Sequence, residues 1–191
     1  NRCPVLEQCV DEPDGRGLLV TGPRGIHRWP VAGGGGSVRI GPPAPLSSIA
    51  DCTQAVLSRD GRRLIASGGD GVRAIVIDLE PGPRQVEIQD HGPAQYVALS
   101  PSGRWAAAGT HNGNGVKVWD ASTGTIEADL PVQGSAKVLF SPDERWLLVA
   151  DYGSYHFYEV GSWRPARDVP LDEPRLTSAL ISSICRNCSR C

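Results

Sequence analysis

Methionine is absent from this 191-residue chain, and phenylalanine and tyrosine are scarce, at two and four residues. The missing methionine predicts that translation starts upstream of the segment. Long apolar runs are missing as well. No stretch approaches the roughly 20 residues that a membrane-crossing helix needs, and there is no signal-peptide pattern. The expected location is therefore the cytoplasm, with membrane attachment left to a parent protein. A basic surface is also lacking, since 19 Lys and Arg stand against 21 Asp and Glu for a net charge of −2. No basic stripe with interleaved aromatics is visible, which excludes nucleic acid as a partner. Helix-length apolar segments are lacking too.

What the chain has in quantity is glycine and proline, 23 and 16 residues, set between short apolar runs. Ser58, Ser100 and Ser141 mark the phase, 42 and 41 residues apart. Each ends an apolar strand and precedes a turn: Arg59-Asp60-Gly61, Pro101-Ser102-Gly103 and Pro142-Asp143-Glu144. Proline presets one turn dihedral and glycine accepts positive φ, so these are turns with a mechanism. An earlier copy, Glu12-Pro13-Asp14-Gly15-Arg16, stands 46 residues before its counterpart. The surplus falls in the glycine- and proline-rich stretch from Ala32 to Pro45. After each turn comes a second strand, Leu18–Thr21, Leu64–Ser67, Trp105–Ala108 or Trp146–Val149. A gap with glycine follows, and then a third strand: Ile26–Trp29, Ala74–Ile77, Val116–Trp119 or His156–Tyr158. Fourth strands fit Val86–Ile88 and Thr125–Leu130.

Four strands per unit at a period of about 40 to 45 residues predict an all-β fold of propeller blades. A β-sandwich has no need of this period, and a β-helix requires a much shorter one. The units resemble bacterial WD-repeat blades. Val116-Lys117-Val118-Trp119-Asp120 matches the family's blade-ending signature, and Leu99-Ser100-Pro101-Ser102-Gly103 and Phe140-Ser141-Pro142-Asp143 match its first turn. The resemblance runs over roughly residues 8 to 182. It implies a buried polar network with His91 and Trp119, although Asn112-Gly113-Asn114-Gly115 replaces the expected turn aspartate and leaves packing to hold the blade.

The expected organisation is four blades over 5–50, 51–92, 93–133 and 134–173, the start of another over 174–182, and a disordered tail over 183–191. Family rings usually have seven blades, so four predict an incomplete ring with apolar end faces; a closed four-blade ring is the alternative. Adding 41 to Ser141 gives Ser182, which closes a candidate fifth first strand from Ser178. The turn that should follow is replaced by Ser183 to Cys191, as truncation or a frame shift would produce. A short helix through Leu176, Leu180 and Ile184 competes with this reading.

Chemistry has few candidates. Cys185, Cys188 and Cys191 have metal-ligand spacing, but a fourth ligand is missing, and an incidental exposed tail is the simpler reading. Gly33-Gly34-Gly35-Gly36 lacks the lysine of a phosphate loop and reads as a flexible insertion. His27 and His156 fall within third strands, where a structural role is expected, and no nucleophile recurs beside any histidine. No cofactor and no catalytic residue is expected. The loops between second and third strands share one face of a propeller. They offer Arg24, Asp70, Arg73, His111, Asn112, Asn114, Asp151, Tyr152 and Tyr155, a mixture suited to protein or peptide recognition. Taken singly they are ordinary solvated loops. The expected function is a non-catalytic interaction scaffold whose partner is a protein, a peptide or further blades of the same parent. Its style is similar to repeat arrays joined to bacterial Ser/Thr kinase domains, where it would sense or regulate. No kinase motif is present. The alternative is a propeller hydrolase or lactonase using His111, Asp70 and Asp151.

Overall fold

A computed structural model of the chain describes residues 8–34, 37–49, 51–52, 54–68, 74–80, 82, 84–88, 94–110 and 115–170. These residues form antiparallel sheets arranged like propeller blades, as an open array and not a closed ring. The first blade comprises β1 (Cys9–Asp11), β2 (Gly17–Gly22), β3 (Gly25–Gly34), β4 (Ser37–Ile40) and β5 (Ala44–Ser47). The second holds β6 (Gln54–Leu57), β7 (Arg63–Ser67), β8 (Ala74–Asp78) and β9 (Arg84–Ile88). The third holds β10 (Tyr96–Leu99), β11 (Trp105–Gly109), β12 (Val116–Asp120) and β13 (Ile126–Leu130). The fourth holds β14 (Lys137–Phe140), β15 (Trp146–Ala150), β16 (Ser154–Glu159) and β17 (Pro165–Pro170). In the last three blades every strand pairs with its sequence neighbour. No helix is long and apolar enough to cross a membrane among the described residues. The proposed fifth strand at 178–182, the helix through 176–184 and the tail at 183–191 lie outside those residues.

The serine that keeps the phase does so for a physical reason. In each of the last three blades its Oγ accepts the backbone N–H five residues on: Arg63 N to Ser58 at 3.0 Å, Trp105 N to Ser100 at 3.1 Å and Trp146 N to Ser141 at 3.0 Å. Ser58 and Ser141 also donate to the turn carboxylates of Asp60 and Asp143. The hydroxyl thus closes the turn that reverses the first strand into the second. In the first blade Glu12 takes this place and is buried at 6% exposure, its carboxylate accepting from Arg28 at 2.7 Å. The adjoining Gly17 has no Cβ to collide with that carboxylate. The turn glycines Gly15, Gly61 and Gly103 sit at φ near +70°, and Glu144 holds the same left-handed conformation at φ 59°. Its carboxylate reaches back to the preceding blade and accepts from Ser102 N at 2.9 Å and from Ser102 Oγ at 2.5 Å.

The core lies between the sheets. Strand alternation turns paired residues of the second and third strands toward the preceding blade. These pairs are Leu64 with Ile77, Ala106 with Trp119, and Leu147 with Tyr158. Size alternates across the seam, so Trp119, fully buried, fits over Ala106 against Val76 and Ile88 of the second blade. The corresponding pair in the first blade, Leu18 with Trp29, has no sheet in front of it among the described residues and is only half-buried. At the other end Phe157 and Leu139 pack around Leu148 and Tyr155 on the far side of the fourth sheet.

The inner strands are also clasped by side chains. Gln8 accepts the amide of Ala55 at 2.7 Å, and Gln54 accepts the amide of Val97 at 2.9 Å. At the next seam Tyr96 occupies the position of Gln54, and the ammonium of Lys137 lies 5.5 Å from its ring centre. One expectation is corrected in the first blade. The glycine run reads as a flexible insertion, but its flanks pair as a hairpin, Val31 opposite Ile40 through Gly34 opposite Ser37. The backbone bonding of this β3–β4 pair sustains it, since Val38 and Ile40 stay 70% and 54% exposed.

Candidate binding face

With strands alternating in direction, the turns after the first strands lie at one end of each sheet, and the loops between second and third strands lie at the other. The polar groups of the turn end are engaged across the blades. At the turn end, Arg59 donates its amide to the Pro101 carbonyl at 2.9 Å and its guanidinium to the Pro142 carbonyl at 2.5 Å. Arg63 donates to the Gly103 carbonyl at 2.7 Å, and Glu144 holds Ser102. That end is knitted together by its own side chains.

The loop end carries the residues singled out from the sequence. Arg24 sits in the two-residue Pro23-Arg24 turn joining β2 to β3, since Gly22 pairs directly with Gly25. Gly25 is required there: its φ is +103°, and a Cβ would fall 2.0 Å from the Ser47 carbonyl oxygen. Arg24, Val20, His27, Trp29 and Pro43 line an open groove of about 430 Å³ on the uncovered side of the first blade.

The other described candidates belong to the fourth blade. Asp151 opens the β15–β16 loop, and one carboxylate oxygen accepts the amides of Gly153 at 2.8 Å and Ser154 at 2.7 Å. Its second oxygen meets His156 Nε2 at 3.0 Å, while His156 Nδ1 meets Asp168 of β17 at 2.8 Å. Burial acts against the Asp151 carboxylate, but the bonds from His156, Gly153 and Ser154 outweigh it and hold its pKa below the ordinary value. Burial also opposes charge on His156, and the two carboxylates outweigh it to raise the imidazole pKa.

Tyr152 projects from the tip of this loop at 64% exposure. Gly134, in the connector from β13 to β14, lies against its ring, where a Cβ would come within 3.4 Å of the aromatic carbons. Tyr155 is placed differently from what its loop position suggests. It lies inside β16 at 6% exposure, packed with Leu148 and Ala150, and its hydroxyl has no hydrogen-bond partner among the described residues. Burial raises its phenol pKa.

The structure therefore brings Asp151 and Tyr152 together and leaves Arg24 in a different blade. Asp70, Arg73, His111, Asn112 and Asn114 lie outside the described residues, as do His91 and the metal candidates Cys185, Cys188 and Cys191. Among the described residues no group of three His, Cys, Asp or Glu side chains is placed to hold a metal ion. Both His156 nitrogens face carboxylates, at 3.0 Å from Asp151 and 2.8 Å from Asp168.

Asp168 was not selected from the sequence. A signal for it existed: in the third blade Lys117 pairs with Asp129 at the register where the fourth blade pairs His156 with Asp168. A cation on the third strand facing an aspartate on the fourth recurs in successive blades.

No family model and no curated protein matches the chain. Among solved structures it is similar to a chain titled Kuenenia stuttgartiensis Hydrazine Synthase, with a TM-score of 0.68 and 15% sequence identity. The match covers 90% of this chain and 50% of that one, so the chain spans about half the length of its structural neighbour. At this identity the likeness concerns the fold alone.

Proposed function

We propose that the chain is a non-catalytic interaction module, part of a larger WD-repeat propeller, that presents its loop face to a protein or peptide. The observation that carries this reading is Tyr152, an aromatic side chain 64% exposed at the tip of a loop whose base Asp151 fixes by three hydrogen bonds. An exposed aromatic held on a rigid support offers contact area at a small ordering cost. At the opposite end Arg59, Arg63 and Glu144 are engaged with neighbouring turns. The uncovered Leu18–Trp29 side of the first blade suits a further blade of a longer parent. A bacterial Ser/Thr kinase is the proposed parent, on the resemblance of the repeats alone, and the cytoplasm is the proposed compartment.

The reading is tested by panning a random peptide library against the immobilised chain and measuring the selected peptides by calorimetry. Tyr152→Ala should weaken the selected peptides at least tenfold while the folded signal stays unchanged. Peptides that bind equally to the variant, or a library that yields none, would overturn the proposal.

A further inference from the structure

Three elements meet at His156: the β15–β16 loop through Asp151, β16 through the histidine itself, and β17 through Asp168. Ionised carboxylates only accept hydrogen bonds, so both contacts need an N–H on the ring. Both exist together only when the imidazole is doubly protonated and charged. A neutral ring has one N–H. It keeps one link and turns a lone pair toward the other carboxylate. Whichever nitrogen retains the proton, the chain of bonds from loop to outer strand is broken.

We infer that Asp151, His156 and Asp168 form a proton-controlled latch that couples the Tyr152 loop to β17. This regulates the binding site proposed above and rests on that reading for its biological use.

Among the described residues the surroundings isolate the latch. His156 pairs with Val149 across β15 and therefore lies on the side of the sheet that faces the third blade. Among the described residues, the third blade packs Val116, Val118, Leu130 and Val132 against this side of the sheet. Lys117 alternates with Val116 and Val118 and points to the other side of its sheet, where it pairs with Asp129. On the face of β16 that carries His156 the further titratable group is Tyr158, whose phenol pKa is raised by burial and then by the charges of Asp168 and Asp151; Tyr155 lies on the opposite face. No second cation competes for the two carboxylates among these groups. The exposures are graded as well, with Asp151 at 19% and Asp168 at 67%, so the strand side of the latch opens directly to water.

The signs define a window. The His156 pKa is raised in the folded chain, so the coupling is present at lower pH and is lost as pH rises through the folded value. The Asp151 pKa is lowered, so its share is present above the ordinary carboxylate value and is lost as pH falls through the folded one. The loop is most firmly held between those two limits.

The test is an NMR titration of the full 191-residue chain without ligand, following the His156 ring signals and the Tyr152, Gly153 and Ser154 amides. The amides should shift with the His156 midpoint, and that midpoint should exceed that of a free histidine. Asp168→Asn should lower the midpoint and shrink the amide shifts without unfolding the chain, since Asp168 is mostly exposed. Amides that stay flat through the His156 titration, or a midpoint unmoved by Asp168→Asn, would overturn the latch. Because no ligand takes part, failure to find a peptide partner would count against the proposed function and leave this result standing.

Discussion

Gly109 ends β11 where the connector between the third and fourth blades crosses it. The substitution Gly109→Ala adds a single methyl group. Its Cβ would stand 1.9 Å from the Ala136 carbonyl oxygen and 2.9 Å from the carbonyl carbon. An ordinary C···O contact is about 3.3 Å, so the connector would have to move by more than about 1 Å. It is tied at that point, because the Ala136 amide donates to the Thr110 carbonyl at 2.8 Å and the Gln95 amide to the Gly109 carbonyl at 3.2 Å. Overpacking costs about 1–3 kcal/mol, and a loosened backbone bond adds about 1 kcal/mol. Against this, losing a glycine restricts the unfolded chain and returns about 0.4–1 kcal/mol. The balance is a destabilisation of about 2 kcal/mol. Gly33→Ala serves as control, since a Cβ there meets nothing within 4 Å. Urea unfolding followed by both tryptophan fluorescence and circular dichroism reads the difference; two probes are needed because repeat arrays depart from two-state behaviour. If Gly109→Ala unfolds at the same urea concentration as Gly33→Ala, the close approach is not real and the reasoning fails.

Ser100→Ala should cost about 1–2 kcal/mol, since it leaves the buried Trp105 amide unpaired, whereas Ser141→Ala should cost less because its turn is open to water. Urea midpoints of the two variants check the order, and equal midpoints would refute the role given to burial. Trp119→Ala should cost about 3–5 kcal/mol by emptying the seam between the second and third blades, and a soluble variant of unchanged midpoint would contradict the packing. The Cys52 thiol is buried and pushed up to about 11 by desolvation, while Cys9 is exposed. At pH 8 iodoacetamide should therefore label Cys9 well before Cys52, as read by peptide mass spectrometry, and equal rates would disprove the burial.

The blades were legible because the residue that sets their period is also the residue that closes a turn. A serine whose hydroxyl holds the amide five residues on recurs for a local reason, and so it can be read without the fold. Glu12 hid the first blade's share of that pattern, since a glutamate paired with Arg28 stands where the later blades have serine. The hairpin through β3 and β4 escaped notice because its stability lies in backbone pairing, and glycine carries no mark of it. The clasps of Gln8 and Gln54 join positions 47 and 43 residues apart, which no local pattern reveals. At the candidate face, Asp151 and Tyr152 were found from loop position, but the same rule selected Tyr155. Strand alternation turns that side chain into the sheet. His156 was read correctly as a third-strand residue, while its two carboxylate partners depend on which strands lie beside it.

Within the last three blades, hydrogen-bonded strands are always next to each other in sequence, and blades meet chiefly through side chains. The chain leaving a ribosome therefore completes a pairable sheet about every 41 residues, and no strand has to wait for a distant partner. The same wiring bears on descent. Copying or deleting one whole blade removes no backbone ladder from its neighbours. It asks only that Ala106 and Trp119, or a pair of similar combined size, find a new surface to fill.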